Sequence, residues 1–309
     1  VTLALGLEAQ SLIEEGGRVV GVKLRDVNGD DVVVRAKLVV GADGRHSKIE
    51  ALSGIDTEVR AHNRAGFMAY FSGVTMKWGH DSQFWIEGED VTYAFPTDGG
   101  EVLLAVITHE KNLDDARVDR EQFIRDRYAR LADAPDLANA KREGGFVAVA
   151  HTPNTYRHPT KPGLALVGDA AMASDYIWGV GCGWALLGAR MLARHVGPAL
   201  VAAEGVDVAL EAFARQHKAE LHAQHVQNTA FSATDELPTL QRLLFAHATH
   251  DAKLRALLQK SVAGEIGKRD LRVPLRLLVA IVRAKLGLRA TSSPSAPART
   301  LATADAAAT

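Results

Sequence analysis

The sequence predicts a mixed α/β fold, with a cofactor-type α/β layer that the chain visits twice, a β-rich layer between the two visits, and a C-terminal helical segment. Three observations carry this. Two short apolar runs, Lys37–Val40 and Leu164–Val167, each end in a corner of glycine and aspartate, and each corner leads into a helical pattern. The residues between them, 64–109, read as strands and turns. From Ala185 onward the apolar spacing becomes helical.

In chain order, Val1–Glu8 reads as a first strand and Gly16-Gly17 as a turn. Arg18–Asp26 alternates as a second strand, and Asn28-Gly29 signals a hairpin into Asp31–Arg35. The first corner is GADGRHSKIE, Gly41–Glu50. Ser47 and Glu50 have capping-box spacing, with Ser47 as N-cap and Glu50 reaching back, whereas Asp43 and Arg45 are not needed for that cap. Four strands follow, over Phe67–Val74, Ser82–Ile86, Val91–Phe95 and Glu101–Thr108. Trp78, Phe84, Trp85, Tyr93 and Phe95 concentrate there, either as sheet core or as an apolar cover for an aromatic ligand. Asp119–Ala132 is an amphipathic helix, and Phe146–His151 returns the chain to the second corner.

That corner, GLALVGDAAMASDYIWGVGCGW over Gly163–Trp184, is the densest signal. Glycines let backbone N–H groups approach a ligand, and the helix N-terminus behind them favours negative charge. An acid at the C-terminal end of a strand is placed to accept from ribose-type hydroxyls. Helices are predicted from Ala185 to His195, over Val208–Thr229, and within Leu240–Ser261.

With 309 residues and 47% hydrophobic content the chain can bury a sizeable core. A net charge of −1 points away from nucleic acid. The lone cysteine, Cys182, rules out an internal disulfide and fits a small residue in a tight turn. A reducing cytoplasm suits it, and no run is apolar and long enough to span a membrane. His217, His222 and His225 invite a metal reading that we reject, because no carboxylate is placed as a further ligand. The apolar, basic segment 274–289 suits docking on the protein's own core, or contact with a membrane surface. Residues 290–309 read as a disordered tail.

The two corners together resemble the GADGxxSxxR and GD segments of FAD-dependent aromatic hydroxylases of the para-hydroxybenzoate hydroxylase fold, over roughly residues 1–200. The resemblance implies an incomplete FAD-binding Rossmann-like domain with a β-rich substrate layer and a C-terminal helical segment. Asp169 resembles the acid that binds the FAD ribityl chain, with Gly168 and Ala170 shaping its turn. Gly179, Val180 and Gly181 resemble the turn against the flavin ring. Gly41, Asp43, Gly44 and Arg45 resemble the segment implicated in FAD pyrophosphate and NAD(P)H contacts. The implied activity is NAD(P)H-dependent monooxygenation of an aromatic or polyketide-like substrate, with no catalytic side chain required.

The sequence departs from that pattern in places. Met172 stands where the family has histidine, Asp175-Tyr176 where it has proline, and Glu50 where it has arginine. The turn Trp178–Trp184 resembles flavin-dependent halogenases and geranylgeranyl-reductase-like proteins as much as hydroxylases. No G-x-G-x-x-G unit is present, so with an opening in mid-strand the expectation is that about a hundred N-terminal residues precede Val1 in the intact protein. The alternatives are a halogenase-like or prenyl-reductase-like flavoenzyme, and a truncated fragment without catalysis. The expected organisation is 1–60 and 156–200 for FAD, 61–155 for substrate, 201–289 helical, and 290–309 as tail.

Overall fold

Gly16 and Gly17, both with positive φ (57° and 79°), decide where the first strands lie. They fold the chain back on itself, so Glu8–Glu15 (β1) pairs antiparallel with Arg18–Arg25 (β2). The strand predicted over Val1–Glu8 is therefore displaced: the tight turn selects the residues next to it, and residues 1–7 lie outside any strand. Gly29 (φ 91°) makes the second turn, where the Asp26 carboxylate accepts the Asn28 and Asp30 N–H groups, and Asp31–Arg35 (β3) completes the meander.

The coordinates are a computed structural model, which describes residues 1–234, 239–248 and 251–262. The segment 274–289 and the tail 290–309 lie outside the described residues. The mixed architecture expected from the sequence is present. Val39–Gly41 (β4) ends in the first corner, followed by Lys48–Ser53 (α1) and Thr57–Arg60 (β5). A five-stranded antiparallel sheet comes next: Arg64–Ser72 (β6), Gln83–Glu87 (β7), Asp90–Pro96 (β8), Val102–His109 (β9) and Lys141–Val149 (β10), in spatial order β10-β6-β9-β8-β7. Leu113–Val118 (α2) and Arg120–Tyr128 (α3) interrupt it, and Asp119 caps α3 by accepting the Gln122 N–H at 2.9 Å.

The sheet has two different faces. Ala65, Phe67, Ala69 and Phe71 of β6 pack with Leu104 and Val106 against Phe123, Ile124 and Tyr128 of α3. By the pleat, the other face carries Gly66, Met68 and Tyr70 opposite Ile107, Ala105 and Leu103, with Tyr93 and Phe95 of β8 alongside. The aromatic cluster is thus split. Trp85 turns to the helix side, meeting Tyr128 at 6.0 Å and donating to Ala132 O. Trp78 is solvent-exposed. Phe84, Tyr93 and Phe95 stay on the open face.

The chain then returns through Asn154–Arg157 (β11), Thr160–Lys161 (β12), Leu164–Leu166 (β13) and Met172–Ala173 (β14). β13 lies parallel to β4, with Leu166 opposite Gly41. The two glycine–acid corners, more than a hundred residues apart in sequence, therefore leave neighbouring strands at the same end. Leu164, Ala165 and Leu166 are fully buried, as a run apolar on both faces requires. Gly41 is a packing glycine: a Cβ there would lie 2.7 Å from Leu166 Cδ2 and 2.9 Å from Ile49 Cγ2.

Three more helices finish the large unit: Gly181–Ala202 (α4), Val206–His217 (α5) and Ala223–Ser232 (α6), the last two joined by a π-helical stretch, Lys218–His222. Met191, Leu192 and Val196 of α4 and Leu210 and Phe213 of α5 pack in one core with β13. A second compact unit contains Thr239–Ala248 (α7) and most of Ala252–Val262 (α8), where Leu244, Ala248, Leu254 and Leu258 form a small core of their own. Among the described residues no helix is long and apolar enough to cross a membrane.

Candidate functional site

α4 begins four residues earlier than its apolar pattern indicates, so Gly181 and Gly183 lie in its first turn. Gly179 (φ 62°) makes the approach, and Val180 occupies the N-cap without any side-chain hydrogen bond to the turn. A 22-residue helix thus presents its first-turn N–H groups with no capping side chain. Cβ atoms built on Gly44, Gly179 and Gly183 meet nothing within 4 Å, and one on Gly181 meets only Asp169 Oδ1 at 4.0 Å. Asp169 stands beside this cradle, and among the described residues its carboxylate takes no hydrogen bond from the protein. Gly168 (φ 59°) turns the chain ahead of it and sits against Ala185 of α4.

The other predicted site residues are engaged in holding the corners. Asp43 Oδ2 accepts the N–H groups of Lys48 and Ile49 at 2.7 and 3.0 Å, and Oδ1 accepts the Ser47 hydroxyl at 2.6 Å. Burial works to raise this carboxyl, but those hydrogen bonds outweigh it and hold it below the ordinary carboxylate range. Asp43, which the sequence does not require for the cap, takes part in it: it shares the N-terminus of α1 with Ser47, whose Oγ accepts the Glu50 N–H. Arg45 donates to Pro153 O and Ser174 O at 2.9 and 2.6 Å, tying the first corner to the loops around the second. Ala170 is fully buried.

Glu50 does not reach back over the cap as the capping-box spacing predicts. Its carboxylate accepts from Thr57 Oγ1 at 2.6 Å and pairs with Arg157 Nε at 3.3 Å. A buried guanidinium offers a stronger, charge-assisted partner than a helix N–H. Arg157, only 6% exposed, went unnoticed in the sequence. It donates to the carbonyls of Asp169 and Ala170, both at 3.2 Å, and to Arg45 O at 3.4 Å, so one side chain stitches the two corners together. Nothing in its local sequence, Asn154–Arg157, marks it.

The cradle adjoins the open face of the sheet. The Tyr176 ring lies over Gly66 of β6, where a Cβ would come within 2.7 Å of it, and its hydroxyl donates to Val149 O at 2.9 Å. Trp178 packs on Phe231 at 4.9 Å. His217, His222 and His225 gather around Tyr156, with the His222 ring tilted against it at 4.0 Å. Burial pulls all three below the usual imidazole range, His217 to about 4. Among the described residues no group of three or more His, Cys, Asp or Glu side chains is placed to hold a metal.

Open glycine faces, an uncapped helix N-terminus and a free carboxylate fit a ligand with phosphates and a polyol chain. The model of the FAD binding domain family matches residues 1–228. The chain belongs to this family. A protein similar in sequence is the digeranylgeranylglycerophospholipid reductase of Picrophilus torridus, 26% identical over 237 residues, or 75% of this chain and 58% of that one. A shorter stretch of 54 residues, 18% of this chain and 13% of the other, is 48% identical to 6-methylpretetramide 4-monooxygenase of Streptomyces rimosus. Among solved structures, the flavin-dependent brominase Bmp2 matches with a TM-score of 0.70 and 15% identity, covering 91% of this chain and 70% of the brominase. The chain therefore belongs to the FAD binding domain family, has the fold of flavin-dependent monooxygenases and halogenases, and spans little more than half of the reductase it matches.

Proposed function

We propose that the chain is the flavin-holding part of an FAD-dependent monooxygenase that uses NAD(P)H as reductant and acts on an aromatic or polyketide-like substrate. The observation that carries the reading is the open glycine cradle at Gly179–Gly183, flanked by Asp169 and continuous with the aromatic sheet face through Tyr176 on Gly66. FAD, when bound, supplies two-electron redox chemistry and reaction with oxygen. The chain's own residues supply position. With FAD bound, the Asp169 carboxylate would accept from ribityl hydroxyls, and the first-turn N–H groups of α4 would face its negative charge. Gly44 and Gly179 allow close backbone approach. Met68, Phe84, Tyr93, Phe95 and Leu103 form an apolar wall that keeps water from a substrate laid on the sheet.

The test is flavin retention. Asp169→Ala should weaken FAD binding about ten- to hundredfold, the value of one charge-assisted hydrogen bond. Equal FAD content in variant and wild type after desalting would overturn the assignment. A second reading, reduction of a prenyl chain, is favoured by the 237-residue match to the archaeal reductase. Product analysis separates the two: oxygen consumption stimulated by an aromatic substrate supports hydroxylation, and hydrogenation of a prenyl chain without oxygen supports reduction.

A further inference from the structure

Between the sheet and the glycine turn lies a group of buried polar side chains that the flavin reading leaves without a task. Arg64 opens β6, and its side chain shares the interior with that of Asp175, which is 0% exposed. The guanidinium spends two nitrogens on carbonyls, Nη1 on Glu89 O at 2.7 Å and Nη2 on Thr234 O at 2.6 Å. Its Nε stands 3.8 Å from Asp175 Oδ2, and among the described residues neither atom has a hydrogen-bond partner. Every other polar atom of Asp175 is fixed. Its N–H donates to Asn154 Oδ1 at 2.6 Å, its carbonyl accepts from Asn228 Nδ2 at 3.1 Å, and its Oδ1 accepts the Ile177 N–H at 3.0 Å. Two further buried atoms nearby, His62 Nε2 and Tyr93 Oη, are also without a partner.

A desolvated carboxyl and a desolvated guanidinium that miss each other's hydrogen bond are a cost to the fold, not a support. Buried groups kept unsatisfied in this way point to use. The carboxyl faces charged or titratable groups from every element packed on it: His62 and Arg64 at the head of β6, Arg45 from the first corner, Tyr93 from β8, and Tyr176 beside it. Burial pushes Asp175 above the ordinary carboxylate range, while His62 and Arg64 pull it back. Burial also drives the Tyr93 phenol upward, so that it offers a proton but no charge near neutral pH.

We propose that Asp175 is a proton-exchange site for the glycine turn: its carboxyl gains proton occupancy from solvent, up to about half a proton per chain for a tenfold gain in proton affinity, when a negatively charged ligand settles against Gly179–Gly183, and returns it when the ligand leaves. Arg64 and His62 are positioning residues whose charges draw the carboxyl back toward its ionised form. The link to the turn is short. Asp175 Oδ1 holds Ile177 N, and Tyr176 O accepts the Gly179 N–H at 3.0 Å, so the carboxyl and the cradle share two consecutive turns. In naming FAD as the charged ligand, the proposal rests on the flavin reading above.

Infrared difference spectra of the chain from about pH 5 to pH 9 read the protonated carboxyl directly, without activity. Asp175→Asn, which keeps the acceptor for Ile177 N, assigns the band by its loss. His62→Ala removes a half-buried ring and should raise the midpoint of that same band, an assignment that does not depend on Asp175→Asn folding. With FAD as probe, the midpoint should rise by about one unit, a tenfold gain in proton affinity. Calorimetry in two buffers of different ionisation enthalpy should count proton uptake on FAD binding, lost in Asp175→Asn. A carboxyl ionised throughout the range, or FAD binding that leaves the midpoint unmoved, overturns the proposal and leaves the flavin reading standing. Failure of the folded wild-type chain to bind FAD overturns both.

Discussion

Replacing Arg157 with methionine would remove a donor from three carbonyl oxygens and the charged partner from the Glu50 carboxylate, which would keep only its bond from Thr57. Removing one partner of a buried ion pair costs about 3–5 kcal/mol, because the other charge is left without compensation. Arg157→Met should lower stability in urea by that amount, and Glu50→Gln in the same chain should restore part of it, since the two residues are in contact. Additive losses would mean that the pair does not act as one unit. The same residue explains why Glu50 departs from capping-box geometry. The sequence near Ser47 describes a helix N-terminus correctly, yet it carries no information about a guanidinium arriving from residue 157.

At the scale of elements, α5, the π-helical stretch and α6 bring three histidines onto Tyr156 of β11. The single helix predicted over Val208–Thr229 continues through a change of register instead, and π segments of this kind often mark sites under local constraint. Burial, with His222, His158 and His225 close by, lowers His217 to about 4. The unfolded chain binds that proton near the usual 6.5, so the unfolded state carries more protons between the two values. Stability from this residue is fully present above about pH 6.5 and is lost as the pH falls toward 4. His217→Phe should flatten that acid limb by ~3 kcal/mol in denaturant titrations from pH 7 to pH 4. An unchanged limb would assign the acid sensitivity to other groups.

For the molecule as a whole, the parallel pairing of β4 with β13 is what makes one site from two corners. A ligand that touches both should stabilise the fold by mass action. At FAD a hundredfold above its dissociation constant the gain is about 2.7 kcal/mol, or roughly 5–10 °C in thermal midpoint for a unit of this size. Differential scanning fluorimetry should show this shift in the wild-type chain. In Asp169→Ala about half of it or more should be absent while the ligand-free midpoint stays the same, since among the described residues no protein group bonds to that carboxylate. A drop in the ligand-free midpoint would assign Asp169 to the fold instead of the ligand.

Neighbouring residues were enough to set the existence and order of the main elements and the two glycine–acid corners, because periodicity, glycine turns and a helix cap are written locally. Gly16-Gly17, Asn28-Gly29 and Ser47 are such local signals. They were not enough to say what the corner side chains do. Asp43 and Arg45 read as ligand contacts, and only the fold adds their bonds to helix N–H groups and to loop carbonyls. That depended on the three-dimensional packing, as did the pairing of the corners, the reach of Arg157, the two-sided fate of Trp85 and Tyr93, and the meeting of Arg64 with Asp175. Each of these joins residues far apart along the chain, and their partners are chosen by burial, where an unbonded charge or carbonyl costs most.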